Sequence, residues 1–505
     1  MSGASTPIRR GRLPVYAILV TLVVLALLEL TARLAEPTAH RTLREFRLGD
    51  VLTEYKLWQQ TLFLSFGGIH RPDPELLWRF RSRLRRPLFT TNSRGLLTAE
   101  EIEYQKPPNT TRILLLGDSS PVGLGLQRRE EAFGELAAQL LQRKLRGQKK
   151  IELLNAAVSG YTSEQAKRFL QKEGLQYQPD FVVCYLGNND GSINGYLTDR
   201  EIFAAQDWSR TARTALNRLA MYRMLRALIS PVLGGQGSAK TGSPLVRLSP
   251  GEFGENIEAL ADISRSIGAR AIFVNPPVPY RWPAGLQFKI FSRMADSAGQ
   301  WVVADPVQQH LERPVAYCLD SATINRPYGR VDPYVREVLA SAYADQGAAD
   351  SIEAYYTDRL KTSPDDPLYL NNLGVILWQK KEFRRAVELF ERGVALDSLF
   401  NVSRYNLGIA LADLGDSLRS REVLRETVDR DWYSLRIKTP YRQALFAAGA
   451  SSGGLVLDAA ELFRIHGNEQ LFIDHCHPTP EGHALIAAEL ARMIDSLLTR
   501  GSAGN

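Results

Sequence analysis

Cysteine is scarce in this sequence. Its three copies in 505 residues, Cys184, Cys318 and Cys476, lie too far apart for a disulfide framework or a zinc site of the CxxC type. A large excess of one charge is missing too. The 62 basic and 55 acidic residues leave a formal +7 and are mixed along the chain, with no basic stripe to neutralise phosphates, so no nucleic-acid partner is expected. Long hydrophobic runs are also lacking, with one exception near the N-terminus. "PVYAILVTLVVLALLELTA", residues 14–32, carries Glu29 as its only charge and follows the basic cluster "RRGR", Arg9 to Arg12. Span length and the positive-inside rule predict a cytoplasmic tail over 1–13, one transmembrane helix over 14–35, and an extracytoplasmic (periplasmic or extracellular) remainder. A cleaved secretory signal is the competing reading. It needs a small-residue cleavage site, and "ELTA" and "ARLA" put Leu30 or Arg33 in the wrong place.

The 44% hydrophobic content is enough for two or three packed units. Residues 36–110 are charged and irregular, punctuated by "RPDPELLWRFRSRLRRP" and "PPNTT", and read as a juxtamembrane lead-in. From residue 112 the short apolar runs "RILLLG", "IELLNAAV", "DFVVCYLG" and "ARAIFVNPP" alternate with amphipathic stretches such as "AFGELAAQLLQRKL" and "SEQAKRFLQKEGL". Alternating helices and continuously apolar strands predict an α/β fold, a parallel sheet covered on both faces. The last strand is delayed until "GGLVLDAAELF", after which the helix "PEGHALIAAELARMIDSLL" resumes the pattern. The sheet-forming unit therefore has two parts, 111–282 and 433–497, separated by a connecting insert, 283–332, and by residues 333–432.

Residues 333–432 carry a 34-residue period. Leu339-Ala340, Leu373-Gly374 and Leu407-Gly408 recur at that spacing, as do Tyr343, Leu377 and Leu411, and Tyr356, Phe390 and Leu424. The middle copy, "NNLGVILWQKKEFRRAVELFERGVALDS", resembles the tetratricopeptide repeat, with Ala386 at a small-residue position. The outer copies depart from it, with Ile352 and Ser420 where alanine is expected. The resemblance implies an all-α insertion of three helix pairs, folding as a satellite with its own core and offering a groove to a protein or peptide partner. A generic array of helical hairpins is the alternative.

Four segments carry the chemistry. "RILLLGDSSPVGLG", residues 112–125, is a strand that ends in a turn, which puts Ser119 at the carboxyl edge of the sheet, where open α/β folds bind ligands. An N-cap and turn role for Asp118 and Ser119 is the plain alternative. "NAAVSGYTS" ends the next strand with Gly160, and "YLGNNDG" ends the third with Asn189 and Asp190. "DHCHPTPEGH" supplies Asp474 and His477, three apart. Asp474, His475, Cys476 and His477 could form part of a metal site, but no further His or Cys cluster completes it. Cys476 as nucleophile would have no separate base, and His483, inside the amphipathic helix, is expected to be a surface or half-buried residue. Asp118 and Asp190 are expected to brace their loops.

In chain order, Gly117-Asp118-Ser119, Gly160, Gly187-Asn188-Asn189-Asp190 and Asp474-His475-Cys476-His477 resemble the motif set of the SGNH, or GDSL, hydrolase family. The usual leucine after GDS is absent. The resemblance implies a three-layer, flavodoxin-like fold and acyl transfer through an acyl-serine intermediate. It makes Ser119 the nucleophile, His477 the base and Asp474 the group that orients the imidazole. The oxyanion hole would be the backbone N–H groups of Ser119 and Gly160 and the side-chain amide of Asn189. No metal or cofactor is implied. The expected substrate is an ester or an acylated carbohydrate, with hydrolysis the first expectation and O-acetyl transfer to an envelope polysaccharide the second. A repeat scaffold with a vestigial hydrolase fold is the rival from another class.

Overall fold

The computed structural model describes residues 13–36, 68–86, 88–145, 147–192, 198–204, 212, 215–225, 246–281, 292–295, 301–304, 346–396, 401–431 and 435–502. Arg9 to Arg12, Cys318, Leu339, Ala340 and Tyr343 lie outside them. The chain divides into two compact units, one of residues 1–84, 91–95 and 194–242, the other of residues 85–90, 96–193 and 243–505. The span 111–282, expected to belong wholly to the sheet-forming unit, is thereby split, because 194–242 clusters with the N-terminal part.

The first unit holds helix α1, Leu13–Ala35. Its stretch Pro14–Ala35 is long and apolar enough to cross a membrane. The carboxylate of Glu29, the one charge in the apolar run, accepts hydrogen bonds from the backbone N–H groups of Ala220 and Met221 at 2.9 and 3.0 Å. The same unit contains an antiparallel hairpin, His70–Asp73 with Leu77–Phe80.

The second unit is built on five parallel strands, β1 (Thr110–Gly117), β2 (Lys150–Asn155), β3 (Phe181–Tyr185), β4 (Arg270–Asn275) and β5 (Leu455–Asp458), in the order β2-β1-β3-β4-β5. Side chains alternate across a strand, and both faces here are apolar. Ile113 and Leu115 join a core with helices α3 (Phe133–Lys144), α12 (Ala459–Ile465) and α13 (Pro480–Ser502). Helices α4 (Ser163–Lys172), α5 (Pro250–Ser266) and α11 (Thr439–Ser452) pack on one another and on the sheet. Between β1 and β3 the strand order changes direction, and this is the switch point at which sheets of this kind hold ligands. The four-residue helix α2, Ser119–Val122, follows β1 directly.

Among the described residues between β4 and α11, five helices pack in sequence: α6 (Gln346–Thr362), α7 (Pro367–Gln379), α8 (Phe383–Leu396), α9 (Asn401–Leu414) and α10 (Ser417–Arg430). Positions 34 apart do the same job. A Cβ on Gly374 would come within 2.6 Å of the Phe390 ring, and one on Gly408 within 2.6 Å of Leu424, so both glycines let paired helices close up. Ser420 fits its tight place by donating to the Gly408 carbonyl at 2.7 Å. The array has a core of its own, including Ile352, Tyr356, Leu373, Phe390 and Leu411. It is not a detached satellite, however. Tyr280, on the loop after β4, packs against Leu368, Val402, Tyr405 and Leu424, and the Tyr405 hydroxyl donates to the Arg281 carbonyl at 2.8 Å. The physical reason is that residues 276–281, leaving the sheet, carry an aromatic side chain that the array buries.

Candidate active site

The turn after β1 is held by its own residues. Asp118 caps α2 by accepting from the Ser120 N–H at 2.9 Å, and Gly123 closes the turn in the left-handed region at φ +82°. Ser119 is left half-buried at the edge, its Oγ 2.8 Å from His477 Nε2. Asp474 Oδ2 lies 2.7 Å from His477 Nδ1. The other oxygen of Asp474 accepts from the N–H groups of Cys476 and His477 at 2.9 and 2.8 Å, so one carboxylate fixes both the loop and the ring. Burial pushes the Asp474 carboxyl up, but the hydrogen bond and charge of His477 and the Cys476 N–H outweigh it and hold it well below the usual carboxylate range. With Asp474 ionised, the proton of a neutral imidazole belongs on Nδ1. Nε2 is then an acceptor facing the serine hydroxyl.

Gly160 sits at φ +82°, a conformation open to glycine, and its carbonyl accepts from the buried Arg247 guanidinium at 2.6 Å. Among the described residues, the backbone N–H groups of Ser119 and Gly160 donate no hydrogen bond. The Asn189 amide makes two long contacts, 3.2 Å to the Tyr161 carbonyl and 3.4 Å to Asp118 Oδ2. Asp190 accepts from the Gly187 and Ser163 N–H groups at 3.1 and 2.9 Å, which ties the third loop to the second. Burial pushes the Asp118 carboxyl up to about 7 against the opposing effect of the Ser120 N–H.

His483 differs from its expected place. It is fully buried, stacks on Phe133 at 5.9 Å and accepts the Phe133 N–H at 3.2 Å through Nδ1. Ile486, Ala487 and Leu490 follow it at helical spacing on the buried face of α13, and this period carries the histidine inward. Burial pushes it down to about 3 and keeps it neutral. Ligand atoms of Asp474, Cys476 and His477 lie within 4.8 Å of one another. Both His477 nitrogens are engaged in hydrogen bonds with Ser119 and Asp474, and burial raises the Cys476 thiol well above its ordinary value.

Two contributors escape a reading of motifs. Arg247 also donates to Gln165 Oε1 at 2.9 Å, joining the Gly160 turn to the capping box of α4. A lone arginine between apolar residues in "PLVRLSP" was the available signal. Ile437, after the helical array, donates its N–H to Asn188 Oδ1 at 3.1 Å, and nothing in the sequence marks it.

An open parallel sheet of order 2-1-3-4-5 gives the second unit a doubly wound, flavodoxin-like topology, and a serine, a histidine and an aspartate are hydrogen-bonded in series at its switch point. Residues 115–305 match the model of the GDSL-like Lipase/Acylhydrolase family, and the chain carries a domain of that family. The match takes in Ser119, Gly160 and Asn189 and ends before Asp474 and His477, which the helical array separates from it. No curated protein matches the chain. Similar solved structures include an α/β hydrolase enzyme from the metagenome of Lake Arreo, Spain, 11% identical over 76% of this chain and 94% of that one at TM-score 0.30. Others are the lipase/acylhydrolase from Enterococcus faecalis, at 14%, 76%, 96% and 0.29, and the psychrotrophic esterase EstA from Pseudoalteromonas sp., at 26%, 34%, 61% and 0.20. TM-scores this low carry no argument about substrate.

Proposed function

We propose that the chain is a membrane-anchored, extracytoplasmic serine esterase that works through an acyl-Ser119 intermediate. The observation that carries this reading is the series Ser119 Oγ, His477 Nε2, His477 Nδ1 and Asp474 Oδ2, at 2.8 and 2.7 Å. In the first half-reaction Oγ attacks the ester carbonyl carbon while Nε2 takes its proton, and the imidazolium is stabilised by Asp474. The oxyanion is received by the Ser119 and Gly160 N–H groups. Asn189 joins them by exchanging its long contacts for a shorter one to the substrate. The imidazolium then gives its proton to the leaving alkoxide. Water, deprotonated by His477, cleaves the acyl-enzyme and restores the serine. The apolar α1, with Arg9 to Arg12 before it, supports a cytoplasmic N-terminus and a catalytic unit on the other side of the membrane. The helical array is read as tetratricopeptide-like from its 34-residue equivalences, and any protein partner would use faces turned away from Tyr280.

The test is kinetic. Ser119→Ala should lower kcat on a small aryl ester by about 10⁴-fold or more while the protein stays folded. Retained turnover in that variant would overturn the mechanism.

A further inference from the structure

The other end of the same sheet edge holds a cavity of about 720 Å³. One wall is the sheet, where Asn275 ends β4 and Asp458 ends β5. The opposite wall is α10, with Arg421, Leu424 and Arg425, and Tyr280, Arg442 and Phe446 also line the space. The helical array thus supplies part of a pocket at the carboxyl edge of the sheet.

Three polar atoms of the lining have no partner among the described residues: Asn275 Oδ1, Arg442 Nε and Glu469 Oε2. Asn275 is only 1% exposed, and its Nδ2 is engaged with Asp458 Oδ1 at 2.7 Å, so the carbonyl oxygen remains as an acceptor lacking a donor. Buried polar groups are almost always paired, and three unpaired ones around a single cavity point to a ligand that pairs them. The charge pattern is equally uneven. Arg464 is paired with Glu461, Asp458 is engaged by Asn275, and Glu469 Oε1 accepts the Arg281 N–H at 3.1 Å. Arg281, Arg421, Arg425 and Arg442 line the cavity and form no ion pair among the described residues, against a single lining carboxylate in the same position, Glu422, so cationic charge is in excess. Arg442 donates only to neutral oxygens, those of Tyr280 and Pro276, both at 3.2 Å.

Guanidinium groups recognise carboxylates, unpaired oxygens accept from hydroxyls, and Tyr280 and Phe446 offer ring faces. We infer that this cavity binds an acidic carbohydrate, a sugar chain bearing carboxylates, as the body of the substrate. Its role as substrate rests on the esterase reading; the binding does not. β4 lies two strands from β1, so their ends are separated by about 10 Å. A short oligosaccharide held in the cavity can therefore present an ester at Ser119.

The experiment is a calorimetric titration of the full chain in detergent with unacylated trigalacturonate, its neutral galactose counterpart and octanoate. The acidic trimer should saturate and bind about tenfold or more tighter than the neutral one, with an affinity that falls as salt rises. Arg421→Ala with Arg425→Ala should weaken it about tenfold, and Lys at both positions should recover part of the loss. Both side chains are exposed, so the variants should fold, which thermal unfolding checks. Equal binding of acidic and neutral trimers, preference for octanoate, or no saturable binding would each overturn the inference. The ligand carries no ester, so this result is independent of whether Ser119 is a nucleophile.

Discussion

The two ends of the sheet's carboxyl edge are built in different ways. Around Ser119 three of the four motif segments carry a brace between near neighbours, Asp118 to Ser120, Asp190 to Gly187, and Asp474 to Cys476 and His477, to which Arg247 and Ile437 add contacts from distant stretches. Around the cavity beyond β4 the contacts join distant stretches, Tyr405 to Arg281, Arg442 to Tyr280 and Asn275 to Asp458. The difference teaches that the proposed chemistry is written in short motifs, whereas the proposed recognition surface exists only after the helical array has folded back onto the sheet.

The strongest way to sharpen that comparison, after loss of the serine itself, is at the proposed oxyanion site. Asn189→Ala should lower kcat on a small aryl ester by about 10²-fold with little change in KM, because the amide serves the charge that develops in the transition state. A change confined to KM would place Asn189 in ground-state binding instead.

Arg247 tests whether the reactive end is as local as its motifs suggest. Replacing it with Met strands the Gly160 carbonyl and leaves Gln165 Oε1 with only its Thr162 capping-box donors, and urea unfolding should show a loss of about 2 kcal/mol. Turnover should fall roughly tenfold as the Gly160 turn loosens, and unchanged stability would mean that the turn holds itself.

A smaller effect comes from pH. His483 is held down to about 3 in the folded chain, while an unfolded histidine takes up its proton near ~6.5. Between those values the unfolded state binds a proton that the folded state refuses. The contribution to stability is therefore intact above about 6.5 and is lost as pH falls from there towards 3, by at most about 1.4 kcal/mol per pH unit. His483→Asn, which keeps an acceptor for the Phe133 N–H, should flatten the urea midpoint between pH 7 and 5. An unchanged slope would assign the acid sensitivity to other groups.

How much of this was legible follows the same divide. The apolar runs gave the parallel strands because both faces of the sheet are buried, and three of the four motif segments fell on one edge because strand ends in a parallel sheet share it, while Asp474 and His477 reach that edge on the turn before α13. Gly374 and Gly408 made the helical period visible through a steric need that recurs. What escaped depended on distant partners. His483 looked superficial until Ile486, Ala487 and Leu490 were seen to share its buried face, and Arg247 had no motif to mark it. Tyr280 gave no sign that it would dock into the array, so a satellite was expected where the structure has a wall of the cavity. Residues 194–242 follow the third motif directly in sequence yet cluster with the N-terminal unit.

The central claim, that Ser119 is the nucleophile, is tested most directly by treating the full chain with a fluorophosphonate and locating the adduct by mass spectrometry. One modified residue is expected, Ser119, with labelling abolished in Ser119→Ala and strongly slowed in His477→Ala. An adduct on any other serine, or undiminished labelling of Ser119→Ala, would contradict it.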